Sequence, residues 1–177
     1  MLAASVIPIT LRAMPPLPFD PIDEAARQWS LRWDGVPAMH AVTSLMRVQQ
    51  LVLGRLDAIL KPHGLTFARY EALVLLCFSS RGSLPLGKMG ERLQVHPTSI
   101  TSIVQRLEAD GLVSRRPHPD DGRAVLAEVT DAGRALVERA TADLVGADFA
   151  LGDLSDAQLA ELSTLLAPVR RGAGDFA

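Results

Sequence analysis

The stretch from residue 86 to residue 133 constrains the fold most, because it predicts two short helices, a tight turn and a hairpin in one continuous run. Pro97 suits the first position of the second helix, where its missing N–H costs nothing, and Gly111 suits the end of that helix. The apolar residues of this helix recur at the spacing of one buried stripe: Ile100, Ile103, Val104 and Leu107.

The first of the two helices is predicted over residues 86–93, and Gln94-Val95 forms the turn between them. Val95 is expected to fill the angle where the two helices meet. Two helices joined by a turn of about three or four residues match the helix-turn-helix unit, whose second helix enters the major groove of DNA.

The predicted outer face of the second helix carries short polar side chains. Hydroxyls and amides hydrogen-bond base edges, whereas Lys88 and Arg106 are better placed for phosphates. The alternative is a merely solvated helix face. The side chains that we predict to face bases are Thr98, Ser99, Thr101, Ser102 and Gln105.

A hairpin is predicted next, with strands over residues 112–116 and 124–129 and a turn rich in Pro, Asp and Gly between them. Arg115 and Arg116 lead into the turn and Arg123 leads out, a placement that suits the minor groove or its phosphates. We interpret Asp121 as the partner that orients Arg123. The alternative is an ordinary polar hairpin tip.

This segment resembles the winged helix-turn-helix of the MarR family of bacterial transcriptional regulators. The resemblance rests on the junction at residues 107–113, the tip Asp121-Gly122-Arg123 and the exit at residues 129–133. It extends over roughly residues 36–169. The chain departs from the family in having Ser102 where an Arg is frequent and Gly122 where a second tip Arg is common, which predicts weaker non-specific DNA binding.

The family resemblance implies a mainly α fold, with a winged helix-turn-helix DNA-binding lobe, a small β-hairpin wing and a dimerisation lobe of N- and C-terminal helices. It implies a homodimer, with one lobe of packed terminal helices and two winged lobes. We predict an extended or disordered segment at residues 1–20 and one MarR-like domain at 21–177. The dimerisation helices are predicted at 36–61 and 131–170, and the winged helix-turn-helix at 66–130.

The sequence supports that order of elements. An amphipathic helix is predicted over residues 38–60, ended by Pro62 and Gly64, and Thr66 is expected to cap a buried apolar helix over residues 67–78. Thr130 opens a helix to about residue 149. Ser155 and Gln158 then predict a capping box for the last helix. The apolar stripe of that helix suits pairing across a twofold axis, with a monomeric bundle as the alternative: Leu159, Leu162, Leu165, Leu166 and Val169.

The N-terminal region differs in composition from the rest. Residues 1–13 are mildly apolar but too short, and too interrupted by Pro8, to span a membrane. We expect Met14 rather than Met1 to be the native start. A short extra helix is predicted from about residue 22 to residue 33, capped by Asp20 or Asp23, with Trp29 and Trp33 available for burial.

The formal net charge of −2 over 177 residues argues against a nucleic-acid binder when taken alone. Its distribution changes that inference: residues 1–80 carry +1, residues 81–123 carry +2 and residues 124–177 carry −5. The positive excess therefore lies in the proposed DNA-binding segment.

The family resemblance also implies repression that a small, often aromatic, ligand relieves. Trp29, Met46, Arg47 and Tyr70 are the candidate pocket residues, although packing is the more ordinary role for Trp29. Two alternative functions stay open. One is a winged-helix protein-interaction scaffold, and the other is a redox sensor acting through Cys77.

Enzymatic chemistry is not predicted, because no set of residues assembles a catalytic site. Residues 82–89 resemble a P-loop but place Met89 where Ser or Thr is required, so we predict a short first strand at Ser83-Leu84 instead.

The four histidines lack the spacing of a zinc site, although His118 with Asp120 and Asp121 could bind a metal loosely. Cys77 is the single cysteine and is predicted to be buried and unreactive, consistent with a reducing cytoplasm. We therefore predict no metal, no cofactor and no membrane association.

Overall fold

The computed structural model describes residues 16–119 and 124–177. Within these ranges the order of elements is helical, then winged, then helical. The elements are α1 (Pro21–Ser30), α2 (Val36–Leu60), α3 (Phe67–Phe78), β1 (Ser83–Pro85), α4 (Leu86–Leu93), α5 (Pro97–Ala109), β2 (Val113–Pro117), β3 (Val125–Val129), α6 (Asp131–Gly146) and α7 (Asp156–Gly172). Short 3-10 turns lie at Lys61–His63 and Asp148–Ala150. The chain divides into two compact units, residues 1–58 and 59–177.

The first unit holds α1 and most of α2. Asp20 caps α1, as one of the two predicted residues, by accepting from the backbone N–H of Ile22 at 2.7 Å. The helix ends at Ser30, however, so the expectation that it reaches Trp33 is wrong. Trp33 is exposed because the chain turns away after Leu31, and its ring lies 4.8 Å from that of Trp29.

The second unit is built around α3, α5 and a three-stranded sheet. The sheet order is β1-β3-β2, with both pairs antiparallel. The predicted first strand at Ser83-Leu84 is therefore present, and it pairs with β3 rather than standing alone. The core is aliphatic, as helical proteins with few aromatic residues require: Leu60, Leu73, Leu76, Met89, Ile100, Val104, Leu107 and Leu144 are almost fully buried.

Helix α3 begins at the predicted cap, where Thr66 accepts from the N–H of Arg69. Its last residue corrects one expectation. Phe78 is 83% exposed, although it belongs to a run predicted to be buried. Two residues after buried Leu76, it points about 200° around the helix and so faces away from the core.

Helix α6 is shorter than the sequence indicated. It ends at Gly146 rather than at about residue 149, because Asp148, Phe149 and Ala150 all adopt left-handed backbone angles, with φ of 48°, 49° and 62°. Successive left-handed residues cannot continue a right-handed helix. The chain turns there and enters α7, whose predicted capping box between Ser155 and Gln158 is present.

A compact joint connects the end of α5 to the start of α6. The Thr130 hydroxyl donates to the carbonyl of Gly111 at 2.9 Å and accepts from the N–H of Gly133 at 3.1 Å. The Thr130 N–H donates to the carbonyl of Leu112 at 3.1 Å. Gly133 lies so close that an added Cβ would come within 2.3 Å of that Leu112 carbonyl oxygen. The wing therefore leaves and rejoins the helical part of the chain at one place.

No described helix is both long enough and apolar enough to cross a membrane.

Candidate nucleic-acid interface

The turn between α4 and α5 sets the geometry of the predicted DNA-reading helix. Gln94 ends α4 with a left-handed φ of 53°, which sequence reasoning missed because no Gly or Asn marks the position. Gly90 permits the close approach of the two helices, since a Cβ there would lie 3.2 Å from the carbonyl oxygen of Val95. Half-buried Val95 lies within this junction, as predicted.

The start of α5 is capped by His96. Its Nδ1 accepts from the N–H of Thr98 at 3.3 Å, so this ring nitrogen carries no proton in the contact. Pro97 occupies the first helical turn, as the sequence predicts. The first turn of α5, which is the part of a recognition helix that meets base edges, is thereby fixed.

The inward face of α5 is the predicted stripe. Ile100, Val104 and Leu107 are buried, and Ile103 is half-buried. The outward face consists of the predicted polar residues, of which Thr98, Ser99, Ser102, Gln105 and Arg106 are exposed. These side chains therefore stand on a capped helix whose opposite face is buried.

Thr101 differs from its neighbours. It is half-buried, and its hydroxyl donates to the carbonyl of Pro97 at 2.9 Å. Its proton is therefore used within the helix, which leaves only acceptor capacity for an external group. Lys88, the predicted phosphate contact on α4, is exposed.

The arginines at the base of the wing are each paired with a carboxylate. Nε of Arg115 donates to Oε2 of Glu108 at 2.7 Å, and its Nη2 lies 2.6 Å from the same oxygen in an ion pair. Nε of Arg116 donates to Oε2 of Glu128 at 2.8 Å. The hydrogen bond from Arg115 holds the pKa of Glu108 below its usual value, which keeps this carboxylate ionised. Sequence reasoning missed these partners, because one pairing joins a helix to a strand and the other depends on strand register.

A further arginine connects the end of α5 to the start of α3. Arg69 donates from Nη1 to the Asp110 carboxylate at 3.1 Å and from Nη2 to the carbonyl of Gly64 at 2.5 Å. Asp110 is the C-terminal cap of α5, and Gly64 follows the end of α2 with a left-handed φ of 69°. Arg69 therefore fixes the C-terminal end of the proposed recognition helix.

Two predicted DNA contacts, Asp121 and Arg123, lie outside the described residues.

The predicted ligand-pocket residues belong to both compact units. In the first, Trp29 Nε1 donates to the carbonyl of Asp34 at 2.8 Å, and Met46 and Arg47 are exposed. In the second, Tyr70 is buried, and its hydroxyl lies 2.8 Å from that of Thr141.

Cys77 is half-buried rather than fully buried. Burial raises the pKa of its thiol, and Arg134, which is distant in sequence, partly offsets that rise. Among the described residues, no group of three or more His, Cys, Asp or Glu side chains could hold a metal ion.

Comparison with known proteins agrees with this geometry. The MarR family model matches residues 69–125, which run from α3 to the start of β3. The organic hydroperoxide resistance transcriptional regulator of Bacillus subtilis is 33% identical over 102 residues, which are 58% of this chain and 67% of that protein. Sco5413, a MarR family transcriptional regulator from Streptomyces coelicolor, is 56% identical, with a TM-score of 0.76 over 80% of this chain and 99% of that one. The chain belongs to the MarR family.

Two further MarR-like structures carry ligands. Sco3205 of Streptomyces coelicolor, solved in complex with DNA, is 25% identical with a TM-score of 0.72, over 80% of this chain and 90% of that one. CouR of Rhodococcus jostii RHA1, solved with p-coumaroyl-CoA bound, is 28% identical with a TM-score of 0.62, over 71% of this chain and 87% of that one. The protein is thus a winged-helix transcriptional regulator and not an enzyme.

Proposed function

We propose that the protein is a homodimeric repressor that reads its operator with α5 and is released from DNA by a small ligand with an aromatic group. The observation that carries the proposal is the outward face of α5. Five exposed polar side chains stand on a helix whose opposite face is buried and whose two ends are both held in place.

The chemistry of that face favours base reading over general charge attraction. Hydroxyl and amide groups discriminate base edges in the major groove, whereas a single Arg at position 106 supplies the charge near the end of the helix. We assign Thr98, Ser99, Ser102 and Gln105 to bases, and Lys88 and Arg106 to phosphates. Thr101 is assigned a smaller, acceptor-only part, because its proton is bonded to Pro97.

A homodimer is supported by apolar side chains that each unit leaves exposed. In α7 no residue is buried, and Leu165 and Val169 are 66% and 64% exposed. In α2, Val42, Met46 and Leu51 are each 55% exposed. A second copy of the chain is the natural cover for such surfaces, and a dimer would read two half-sites about 10 bp apart. Because its target is chromosomal DNA, we place the protein in the cytoplasm.

Release of the repressor from DNA by a ligand is supported by CouR, which binds an aromatic acyl thioester. A ligand can act in this way only by binding the DNA-free conformation better than the DNA-bound one. The rings of Trp29 and Trp33 lie 4.8 Å apart at an angle of 54° and provide the optical signal, so an aromatic ligand bound near Trp29 should change tryptophan fluorescence. Unchanged fluorescence, together with unchanged DNA affinity, across a panel of phenolic acids and their CoA thioesters would contradict this part of the proposal.

The deciding experiment is fluorescence anisotropy with the DNA upstream of the encoding gene and with a scrambled duplex of equal length, at several salt concentrations. We expect salt-sensitive binding that prefers the native duplex. Ser102→Ala should change which bases are preferred, whereas Arg106→Ala should weaken binding to all sequences and lower the salt slope by about one phosphate equivalent. Arg123→Ala should behave like Arg106→Ala.

The contrary outcome is a well-folded protein that binds neither duplex at low salt, even after selection from a random duplex pool. That result would favour the scaffold alternative, in which the winged helix serves only protein interaction. Identical effects of Ser102→Ala and Arg106→Ala would refute the division between base and phosphate contacts.

A further inference from the structure

The two arginines that lead into the wing are unusual as DNA contacts, because each already holds an anion. Arg115 forms a hydrogen-bonded ion pair with Glu108, and Arg116 forms one with Glu128. The side chains of the first pair are each 34% exposed, and those of the second are 49% and 39% exposed. Both pairs therefore lie at the protein surface, where they meet solvent and any approaching polyanion.

The two pairs are structurally independent. Successive residues of a strand point to opposite faces of the sheet, so Arg115 and Arg116 lie on opposite faces of β2. Glu108 reaches Arg115 from the C-terminal end of α5. Glu128 reaches Arg116 from β3, where the register places Arg116 opposite Leu126 and Glu128 opposite Ser114. One carboxylate belongs to the recognition helix and the other to the sheet, so each pair can be altered separately.

A carboxylate bonded to an arginine changes what that arginine does near DNA. Non-specific affinity arises from cations that displace the counterions of phosphates, and each such contact adds about 0.9 to the slope of log K against log salt. An arginine whose charge is already balanced displaces fewer counterions, and its carboxylate repels the phosphate. The guanidinium keeps further N–H donors for a phosphate placed at a suitable angle.

The charge of the segment shows how much these pairs matter. Residues 81–123 carry seven basic and five acidic side chains, an excess of only +2. Two of those seven basic side chains are the paired arginines. Extended to Glu128, the segment of residues 81–128 carries seven basic and six acidic side chains, an excess of +1 that removal of the two carboxylates would raise to +3.

We infer that Glu108 and Glu128 are specificity-determining residues that suppress the sequence-independent attraction of the wing base to DNA, so that the contacts of α5 decide which duplex is bound. The inference rests on the proposed function as an operator-binding regulator. It assigns to two carboxylates a role that depends on their charge and not on the stability of the fold.

The test uses Glu108→Gln, Glu128→Gln and the double variant of the full-length protein. Glutamine keeps the size of the side chain and one acceptor oxygen but removes the charge. Dissociation constants are measured for the preferred duplex and for a scrambled duplex between about 50 and 300 mM salt. Glu161→Gln on α7, an equal change of formal charge outside the winged segment, is the matched control.

We expect the double variant to bind the scrambled duplex about tenfold more tightly at the lowest salt, with a slope steeper by about 1 to 2. The preferred duplex should gain less, so the ratio of the two affinities falls by about fivefold. Each single variant should show about half of the slope change, and Glu161→Gln should show none.

Two results would overturn the inference. Weaker binding to both duplexes with an unchanged slope would mean that the carboxylates act only as braces for the wing. Unchanged affinities would mean that these arginines do not face DNA. Urea unfolding of each variant separates both results from misfolding, and Glu128→Gln, which leaves α5 untouched, remains informative if Glu108→Gln fails to fold. A wild-type protein that does not distinguish the duplexes would instead refute the proposed function itself.

Discussion

Helices α5 and α7 have similar apolar stripes and opposite fates. In α5 the stripe packs against other parts of the same chain, and Val104 and Leu107 are fully buried. In α7 the stripe is covered only in part: Leu159, Leu162 and Leu166 are half-buried, whereas Leu165 and Val169 are about two-thirds exposed. The comparison teaches that an amphipathic pattern predicts a helix and a buried face but not the molecule that buries it. The apolar face of α5 is covered within one chain, whereas α7 leaves large apolar side chains exposed.

The largest effect should come from breaking the covered stripe. Leu107→Asp places a charge in a site with no partner, a cost of several kcal/mol that should prevent folding. The milder Leu107→Ala should lower the free energy of unfolding by about 2–5 kcal/mol in urea titrations. Leu165→Ala, on the exposed part of the α7 stripe, should change the stability of the isolated protomer by less than about 1 kcal/mol. Equal losses of unfolding free energy in Leu107→Ala and Leu165→Ala would show that the two stripes are buried to the same extent in the folded protein.

The second effect should come from charging the exposed part of the α7 stripe. Leu165→Glu with Val169→Glu should give a monomer in analytical ultracentrifugation, because the charges would meet their symmetry mates in an apolar interface. Loss of the second half-site contact should weaken operator binding by about 100-fold or more. Ala160→Glu, at an exposed position on the opposite side of α7, is the control and should remain dimeric. A variant that stays dimeric would place the dimer contact elsewhere.

A third, smaller effect should sharpen the comparison at the joint between α5 and α6. Gly133→Ala forces a Cβ against the carbonyl oxygen of Leu112, so it should cost about 1–3 kcal/mol of unfolding free energy. Gly146→Ala, at the other end of α6, meets nothing within 4 Å and should be neutral or stabilising by up to about 1 kcal/mol. Thermal and urea unfolding of both variants provide the measurement, and similar values would contradict the close contact.

The smallest effect is expected at Cys77. Burial raises the pKa of the thiol, so less of it is thiolate at neutral pH than in a solvated cysteine, and thiolate is the reactive form. We expect Cys77 to react with a chromogenic disulfide more slowly than glutathione does, and peroxide to leave DNA affinity unchanged. Peroxide that releases wild-type protein from DNA but does not release Cys77→Ser would instead support the redox alternative.

Much of the fold was predictable because local signals agreed with tertiary packing. The Thr66 and Ser155 caps, Pro97 and Gly111 mark helix ends by chemistry that acts over a few residues. The failures are equally physical. Trp33 and the end of α6 depend on where the chain turns after an element, which short-range periodicity does not encode. Phe78 faces away from the core at its position on α3, which a run apolar on most sides does not reveal.

The candidate site likewise has a part that the sequence predicts and a part that only the tertiary structure reveals. The polar face of α5 follows from helical periodicity, so its residues could be named in advance. The pairings of Arg115 with Glu108, Arg116 with Glu128 and Arg69 with Asp110 join residues 7, 12 and 41 positions apart. They exist only because the sheet register and the packing of α3 against α5 bring those groups together, which one sequence does not specify.

The joint at Thr130 has a consequence for how such a protein diversifies. Thr130 contacts the carbonyls of both Gly111 and Leu112, and the N–H of His118 meets the carbonyl of Ala124 at 3.0 Å further out. The wing is thus a hairpin held by hydrogen bonds at its base, through Thr130, and again between His118 and Ala124. Residues can be added to or removed from its far end without changing the path of the chain from α5 into α6. Lineages could therefore exchange the wing while the rest of the architecture is inherited unchanged.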